Sequence, residues 1–171
     1  MKKLIYIIKQ LILSFVLILP NTYFFCKLRA KYYRFLGCKI GQNVSIAANV
    51  RITGNVEIGN HSSIAQNCTL SGRKIGIFIG DYVMVAPGCV FVAFDHSFDD
   101  LYTPMIKQKE KEASIIVEED VWIAANCTIT KGVILKKGVI IAANSVVTKN
   151  TEKNGIYGGV PAKLIKRRVQ L

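Results

Sequence analysis

The stretch from Val117 to Glu152, divided into blocks of six residues, is VEEDVW IAANCT ITKGVI LKKGVI IAANSV VTKNTE. Every block begins with a large aliphatic residue, has Asp, Asn or Gly at its fourth position, and has a small or β-branched residue at its fifth. Asp, Asn and Gly accept a backbone with positive φ, which favours a tight corner. This pattern predicts one short strand and one corner per block, so that three blocks close a triangular coil.

The same period extends back to Ile40. Fifteen blocks can be aligned, each with a large apolar residue at its first position, and eleven of them have Asn, Asp or Gly at the fourth. Large inward residues then stack on large ones, and small on small, from coil to coil. The sequence therefore predicts an all-β solenoid, a parallel β-helix of about five coils.

Two interruptions break the period. Nine residues instead of six separate Leu70 from Ile79, which predicts a small bulge. After His96, residues 97–114 have no register and are rich in charged side chains, which predicts one long excursion loop. Long loops on a rigid scaffold often carry functional residues.

The composition limits the class of protein. A chain of 171 residues that is 51 % hydrophobic has one domain's worth of core. The formal charge of +12 is concentrated at the two ends, because residues 40–162 contain 11 basic and 11 acidic residues. This distribution suits an anionic membrane surface at one end and a phosphate-bearing small molecule at the other, and it argues against nucleic acid as a partner.

The five cysteines are odd in number and lack the spacing of a zinc site or a disulfide framework. Cys68, Cys89 and Cys127 all fall on the inward fifth position, which assigns them to the core. A reducing cytoplasm is the compartment that this pattern favours, and no metal is expected.

Residues 1–36 form a separate apolar and basic segment, predicted to be helical. The run from Leu4 to Leu19 contains Lys9 and ends at Pro20, which fits a signal peptide or a membrane-spanning helix poorly and an interfacial helix well. The sequence favours peripheral contact with a membrane through residues 1–36. Packing of two helices against the rest of the protein or a neighbouring subunit is the alternative. A single membrane-spanning helix is a minor alternative.

Four motifs, in order along the chain, resemble those of a known family. They are Phe94-Asp95-His96-Ser97-Phe98, the stretch 119–126, the stretch 142–149, and Gly158-Gly159-Val160-Pro161-Ala162-Lys163. Over residues 35–168 the chain is similar to the hexapeptide-repeat acyltransferases, which are left-handed β-helices. The resemblance implies a β-helix domain over 37–158 with the loop 97–114, preceded by the segment 1–36 and followed by a basic C-terminal tail over 159–171.

The apolar N-terminus and the entry at 28–41 look most like enzymes of bacterial surface-polysaccharide O-acetylation. The resemblance implies an acetyl-CoA-dependent O-acetyltransferase acting on a sugar hydroxyl in capsule, O-antigen or exopolysaccharide synthesis. It also implies a homotrimer with sites between neighbouring subunits, to which the loop 97–114 contributes. The acceptor would be a sugar or glycan, for which a lipid carrier is one option, and the enzyme would lie on the inner face of the cytoplasmic membrane.

Three other functions occur to different degrees as alternatives for a β-helix of this kind. N-acetylation of a nucleotide-linked amino sugar is the main alternative, and a non-catalytic β-helix scaffold is the second. A zinc hydratase on the same solenoid would need three histidines per zinc ion. The chain contains two, and His61 and His96 do not share a repeat position.

His96 is the predicted catalytic base, because a sugar hydroxyl is a weak nucleophile and imidazole has a suitable pKa for removing its proton. Its sequence neighbour Asp95 should point to the opposite face of the strand, whereas Asp99 or a backbone carbonyl could orient the ring.

The resemblance carries the CoA contacts over onto matching positions, which are Ala125, Ala143, Thr148, Lys149, Lys163 and Lys166. For the last two, an exposed basic tail without a binding role is the alternative. Trp122 is expected either to line the CoA channel or to pack between subunits, and Asn67, together with Asp95 and Asp99, is a weaker candidate for acceptor contact.

Overall fold

The computed structural model describes residues 2–168, so Met1 of the segment 1–36 and residues 169–171 of the predicted tail lie outside it. Two α-helices, α1 (Lys2–Ile18) and α2 (Tyr23–Phe35), precede the strands. The strands are β1 Lys39–Ile40, β2 Ser45–Ile46, β3 Arg51–Thr53, β4 Val56–Ile58, β5 Ser63–Ile64, β6 Thr69–Ser71, β7 Ile77–Ile79, β8 Met84–Val85, β9 Val90–Val92, β10 Phe94–His96, β11 Glu110–Glu112, β12 Ile115–Val117, β13 Trp122–Ile123, β14 Thr128–Thr130, β15 Ile134–Leu135, β16 Ile140–Ile141, β17 Val146–Val147, β18 Gly155–Gly159 and β19 Ala162–Arg167. A short 3-10 helix covers Met105–Lys107.

The strands wind into a solenoid with three faces. The first sheet has the order β1-β4-β7-β12-β15, the second β19-β18-β16-β13-β8-β5-β2, and the third β17-β14-β9-β6-β3. All pairs within the coils are parallel, and Lys39 pairs with Glu57 just as Ile46 pairs with Ile64. Five complete coils result, which confirms the predicted solenoid.

The core is built from the predicted inward positions. The first and fifth residues of nearly every block are buried, and Ile46, Leu70, Ile123 and Ile141 have 0 % exposure. Ile52 of the first coil is an exception and stays half-buried. Because each inward side chain contacts its equivalents one coil above and below, the core is a continuous column rather than a compact centre.

The corners follow the prediction with informative departures. Positive φ occurs at nine of the eleven predicted Asn, Asp or Gly positions, and not at Asn55 or Asn150. At the corner after β3 the preceding residue, Gly54, takes the left-handed conformation instead. His61 and Tyr82 also have positive φ, and their rings stack at 5.0 Å in adjacent coils.

Helix α2 covers the open end of the first coil. The Tyr33 hydroxyl donates to the Val50 carbonyl at 2.5 Å, and the Arg34 guanidinium donates to the carbonyls of Ile40 and Gly41 at 2.8 and 2.7 Å. These donors satisfy carbonyls at the end of the solenoid, where terminal units need a polar or helical cover.

Helix α1 is fixed by a buried arginine on α2. Arg29, with 0 % exposure, donates to the Val16 carbonyl at 3.0 Å and to the Pro20 carbonyl at 3.2 Å. Its positive charge lies at the C-terminus of α1, where the helix dipole favours a cation. The helix has 17 residues, and nowhere in residues 2–168 is there a helix long and apolar enough to cross a membrane.

The other end of the solenoid is closed by the C-terminal residues. Strand β19 turns back and pairs antiparallel with β18, so the predicted basic tail contains an ordered strand. Likewise, β10 and β11 pair antiparallel, so a two-stranded hairpin begins at Phe94, three residues before the predicted excursion loop 97–114. In both pairings at least one strand lies outside the six-residue period.

Burial raises the pKa of the Tyr33 phenol from its ordinary value of 10.0 to about 12. As the pH rises, the phenol ionises near pH 10 in the unfolded chain but only near pH 12 in the folded protein. The stabilisation of the folded protein by the neutral phenol is therefore complete below pH 10 and is lost as the pH rises towards 12. We expect Tyr33→Phe to lower the free energy of unfolding by about 1 kcal/mol at about pH 8, because the hydrogen bond is lost. The difference between the two proteins should then shrink above pH 10, as measured by urea unfolding at each pH. A difference that stays constant with pH would contradict this account of Tyr33.

Candidate active site

The edge between the second and third sheets carries two of the predicted CoA contacts. Ala125 and Ala143 occupy equivalent positions in adjacent coils, and the Asn144 N–H donates to the Ala125 carbonyl at 2.9 Å. Asn67 lies on the same edge, two coils before Asn126, where its side-chain oxygen accepts from Asn49 at 3.3 Å. We call this edge, residues 47–49, 65–67, 86–88, 124–126 and 142–144, the alanine edge.

Lys163 lies next to the alanine edge at the end of the solenoid. It pairs with Gly158 across β18 and β19, and the neighbouring Gly159 N–H donates to the Ser145 hydroxyl at 3.1 Å. Lys166 lies further along β19, opposite Ile156. Both lysines are exposed, and in the part of the chain that the structure describes neither forms an ion pair.

The two arginines that follow are engaged within the chain. Arg167 forms an ion pair with Glu152, and Arg168 with Asp120 at 3.0 Å. Arg168 also donates to the Gly138 carbonyl at 3.0 Å. The free cations of this strand are therefore the two lysines that the sequence singled out.

His96 ends β10, at the edge between the third sheet and the first sheet of the next coil. The imidazole is exposed, and its cross-strand neighbour on β11 is Glu110. The Ser97 N–H donates to the Lys109 carbonyl at 3.0 Å, which closes the base of the loop. We call residues 94–112 the histidine hairpin.

The loop of the histidine hairpin is braced from inside. The Gln108 amide donates to the carbonyls of Asp100 and Thr103 at 2.8 and 2.7 Å. The loop therefore has a defined path, although Leu101 and Tyr102 at its tip are more than 90 % exposed. A base carried by a braced hairpin can be held in one position relative to a reacting group.

The two aspartates near His96 are both engaged elsewhere. Asp95 forms an ion pair with Lys131 at 2.9 Å, on the face of the hairpin opposite to His96, as the alternation of the strand requires. Asp99 forms an ion pair with Lys111. The carboxylate across the strand from His96 is thus that of Glu110. The sequence did not indicate this neighbour, because the pairing of β10 with β11 lies outside the six-residue period.

Thr148 and Lys149 follow β17 and lie at the edge of the histidine hairpin, not at the alanine edge. Trp122 begins β13 and is 45 % exposed on the outer face of the second sheet, beside Met84 and Ile140. The structure therefore divides the predicted CoA contacts between two edges.

One chain does not bring the predicted base to Ala125 and Ala143. The side of the coil that separates the two edges comprises residues 125–131 and includes β14, and at ~3.3 Å per residue it spans about 15–20 Å. The thioester of a ligand lying on the alanine edge would be out of reach of His96 of the same chain.

The three inward cysteines are core residues, as predicted. Cys68, Cys89 and Cys127 have 0 % exposure, and their thiols donate to the carbonyls of Ala86, Ala124 and Ala142 at 3.2, 3.2 and 3.1 Å. The hydrogen bond with Cys89 and burial raise the pKa of the Cys127 thiol, which keeps it protonated. Across residues 2–168, no three side chains of the metal-ligating types are grouped together.

Comparison with known proteins supports the assignment of the repeat. The sequence pattern described as bacterial transferase hexapeptide (six repeats) matches residues 37–72 and 114–149. A probable macrolide acetyltransferase of Lysinibacillus sphaericus is 37 % identical over 124 residues, which cover 63 % of this chain and 68 % of that protein.

Two solved structures have the same fold. A hexapeptide-repeat acetyltransferase of Vibrio cholerae, complexed with acetyl-CoA, superposes with a TM-score of 0.76 at 26 % identity, covering 93 % of this chain and 85 % of that one. An N-acyltransferase of Bacillus cereus, in a mutant form complexed with dTDP-4-amino-4,6-dideoxyglucose and coenzyme A, superposes with a TM-score of 0.69 at 27 % identity, covering 78 % of each chain. The predicted left-handed β-helix is confirmed, and the chain belongs to the bacterial hexapeptide-repeat transferase family.

Proposed function

We propose that this protein is an acetyl-CoA-dependent O-acetyltransferase that acts on a sugar hydroxyl in the synthesis of a bacterial surface polysaccharide. The observation that carries the proposal is the exposed His96 on a braced hairpin, in a β-helix whose alanine edge and β19 lysines suit CoA. Relatives of the chain are acetyltransferases, and neighbours in structure bind acetyl-CoA or a nucleotide sugar.

The reaction is a direct transfer. His96 removes the proton of the acceptor hydroxyl, and the oxygen attacks the thioester carbonyl of acetyl-CoA. The tetrahedral intermediate then collapses, the carbon–sulfur bond breaks, and the CoA sulfur takes up the proton from the imidazolium. A backbone N–H of the alanine edge, that of Ala125 in this proposal, donates to the oxyanion. The buried cysteines take no part.

CoA binds along the alanine edge towards β19. The backbone at the half-buried Ala125 and the exposed Ala143 contacts the pantetheine arm, and Lys163 and Lys166 contact the phosphates. Thr148 and Lys149, which lie at the edge of the histidine hairpin, serve the adjacent subunit's site in this arrangement.

The functional unit is a homotrimer whose sites lie between subunits. The separation of about 15–20 Å between Ala125 and the histidine edge supports this, because only His96 of a neighbouring copy can reach a thioester on the alanine edge. The exposed apolar residues of the loop 97–114, including Phe98 and Met105, fit a contact with that neighbour.

Helix α1 contacts the membrane surface. Leu4, Ile8, Leu11, Phe15 and Ile18 follow one another at intervals of four and three residues and are 47–72 % exposed, forming an apolar stripe on the side away from α2. Residues 1–39 contain eight Lys or Arg and no acidic residue, which complements an anionic surface. The enzyme would therefore work in the cytoplasm, on the inner face of the cytoplasmic membrane.

The alternative is N-acetylation of a nucleotide-linked amino sugar, which the similarity to the B. cereus N-acyltransferase favours. A soluble nucleotide sugar would give the apolar stripe no purpose, whereas a lipid-linked acceptor brings the substrate to the membrane. The stripe is the reason for preferring O-acetylation of a membrane-bound acceptor.

Calorimetric titration with acetyl-CoA tests the donor site. We expect saturable binding near one per chain, weakened at least tenfold in the variant Lys163→Glu, Lys166→Glu, since each charged hydrogen bond contributes about 1.5–3 kcal/mol. The variant Lys27→Glu, Lys31→Glu has the same change in charge at the other end of the solenoid and should bind normally. Absence of binding to the folded wild-type protein would leave the scaffold function in place of the enzyme.

Mixed oligomers test whether the site is shared. The acceptor is one found by screening sugars for CoA release, and acetyl-CoA is kept well below the Kd of the lysine variant. Under these conditions pure His96→Ala should be inactive, and pure Lys163→Glu, Lys166→Glu should have little activity. Co-expressed as a mixture of chains, they should recover about one quarter of wild-type activity, because a quarter of the interfaces then combine an intact base with intact lysines. No recovery in mixed trimers would mean that each chain contains its own complete site.

Sedimentation with vesicles tests the apolar stripe. The protein should bind vesicles of phosphatidylcholine and phosphatidylglycerol more strongly than phosphatidylcholine alone. Leu11→Glu, Phe15→Glu should weaken binding at least tenfold, because each buried side chain contributes about 1.5–3 kcal/mol. Gln10→Glu, Ser14→Glu adds the same charge beside the stripe and should keep most of the binding. Equal binding by both variants would exclude the stripe as the membrane contact.

A further inference from the structure

The bulge at residues 72–76 is a turn held by backbone hydrogen bonds. The Gly76 N–H donates to the Gly72 carbonyl at 2.8 Å, and the Asn55 N–H of the previous coil donates to the Arg73 carbonyl at 2.7 Å. Arg73 has a φ of 49°, a left-handed conformation that arginine rarely adopts. Most other left-handed corners of the solenoid have Asn, Asp or Gly. The presence of arginine at this corner therefore calls for an explanation from the contacts of its side chain.

The side chain of Arg73 reaches across to the histidine hairpin. Its guanidinium carbon lies 4.1 Å from the centre of the Phe94 ring, and its Nη2 atom lies 2.6 Å from Glu110 Oε1. The Ile75 N–H of the same bulge donates to Glu112 Oε2 at 3.3 Å. One five-residue turn therefore contacts both strands of the hairpin.

The contacts are all on the face that carries His96. Phe94 and His96 alternate to the same side of β10, and they pair with Glu112 and Glu110 on β11. The rings of Phe94 and His96 lie edge to face at 6.2 Å. Asp95 and Lys111 face the other way, where Lys131 and Asp99 hold them.

Arg73 thus acts on two neighbours of the imidazole at once. It stacks on the ring that packs beside His96, and it neutralises the carboxylate directly across the strand from His96. A lysine has the charge but not the planar group needed to stack and pair together.

We propose that Arg73 is a positioning residue for the base: through Phe94 and Glu110 it fixes the histidine hairpin against the second and third coils. The inference rests on the proposed role of His96, although the contacts of Arg73 with Phe94 and Glu110, which we call the clamp, are a property of the fold.

Amide hydrogen exchange of the full-length protein tests the clamp without any substrate. Arg73→Met should speed exchange at least tenfold across residues 94–112 and leave the coils unchanged, with Arg73→Lys in between. Lys74→Met, the adjacent exposed residue of the bulge, is the matched control and should exchange as wild type does. Unchanged exchange of the hairpin in Arg73→Met would overturn the proposal.

Kinetics then test the link to His96. We expect Arg73→Met to lower kcat about tenfold to a hundredfold, since small displacements of a catalytic group have such effects. The KM for acetyl-CoA and the thermal midpoint should stay near those of Lys74→Met, because Arg73 lies at the surface. A hairpin that loosens while kcat stays unchanged would overturn the positioning role. Transfer that survives in His96→Ala would instead contradict the proposed function and leave the exchange result standing.

Discussion

The structure depends on the hydrogen bonding of each coil to the next in parallel register. One coil consists of three six-residue blocks, so a residue pairs with the residue 18 positions later, as Ile40 does with Ile58 and Val117 with Leu135. Pairing of β7 with β4 and with β12 joins these two parts of the first sheet. Any residue inserted into a strand would move its inward side chains out of the column. Insertions are therefore confined to corners, and in this chain both of them lie at the same corner, between the third sheet and the following first sheet.

That confinement explains how the histidine hairpin is held. The insertion at 72–76 lies one coil before the insertion that carries His96, and the stacking of coils brings the two together. Their contact consists of one stacked ring, one ion pair with partly exposed side chains, and the hydrogen bond from the Ile75 N–H to Glu112. Such contacts add little to global stability, but they can decide the position of an exposed group.

Features that depend on neighbouring residues in the sequence could be predicted, whereas contacts between distant segments could not. The inward apolar positions, the core cysteines and most corners could be predicted, because each depends on residues within one block. The corner position of His61 follows from the repeat, whereas the stacking of its ring on that of Tyr82 was not predicted, because this contact links two coils. The hairpin partner Glu110 and strand β19 could not be predicted either, because antiparallel pairing outside the repeat leaves no periodic signal. The proposed roles of His96, Ala125 and Lys163 come from similarity to the family, whereas the division of these residues between two edges comes from the structure.

The ends of the solenoid have a consequence for its assembly. A stack of parallel strands exposes unpaired N–H and C=O groups at both ends, and identical stacks could in principle add to one another end to end without limit. Here Tyr33 and Arg34 occupy carbonyls of the first coil, and β19 reverses direction so that its outer edge is antiparallel to the strands of another copy's first coil. At both ends, therefore, the parallel register of the second sheet does not continue directly from one copy into another along the solenoid axis.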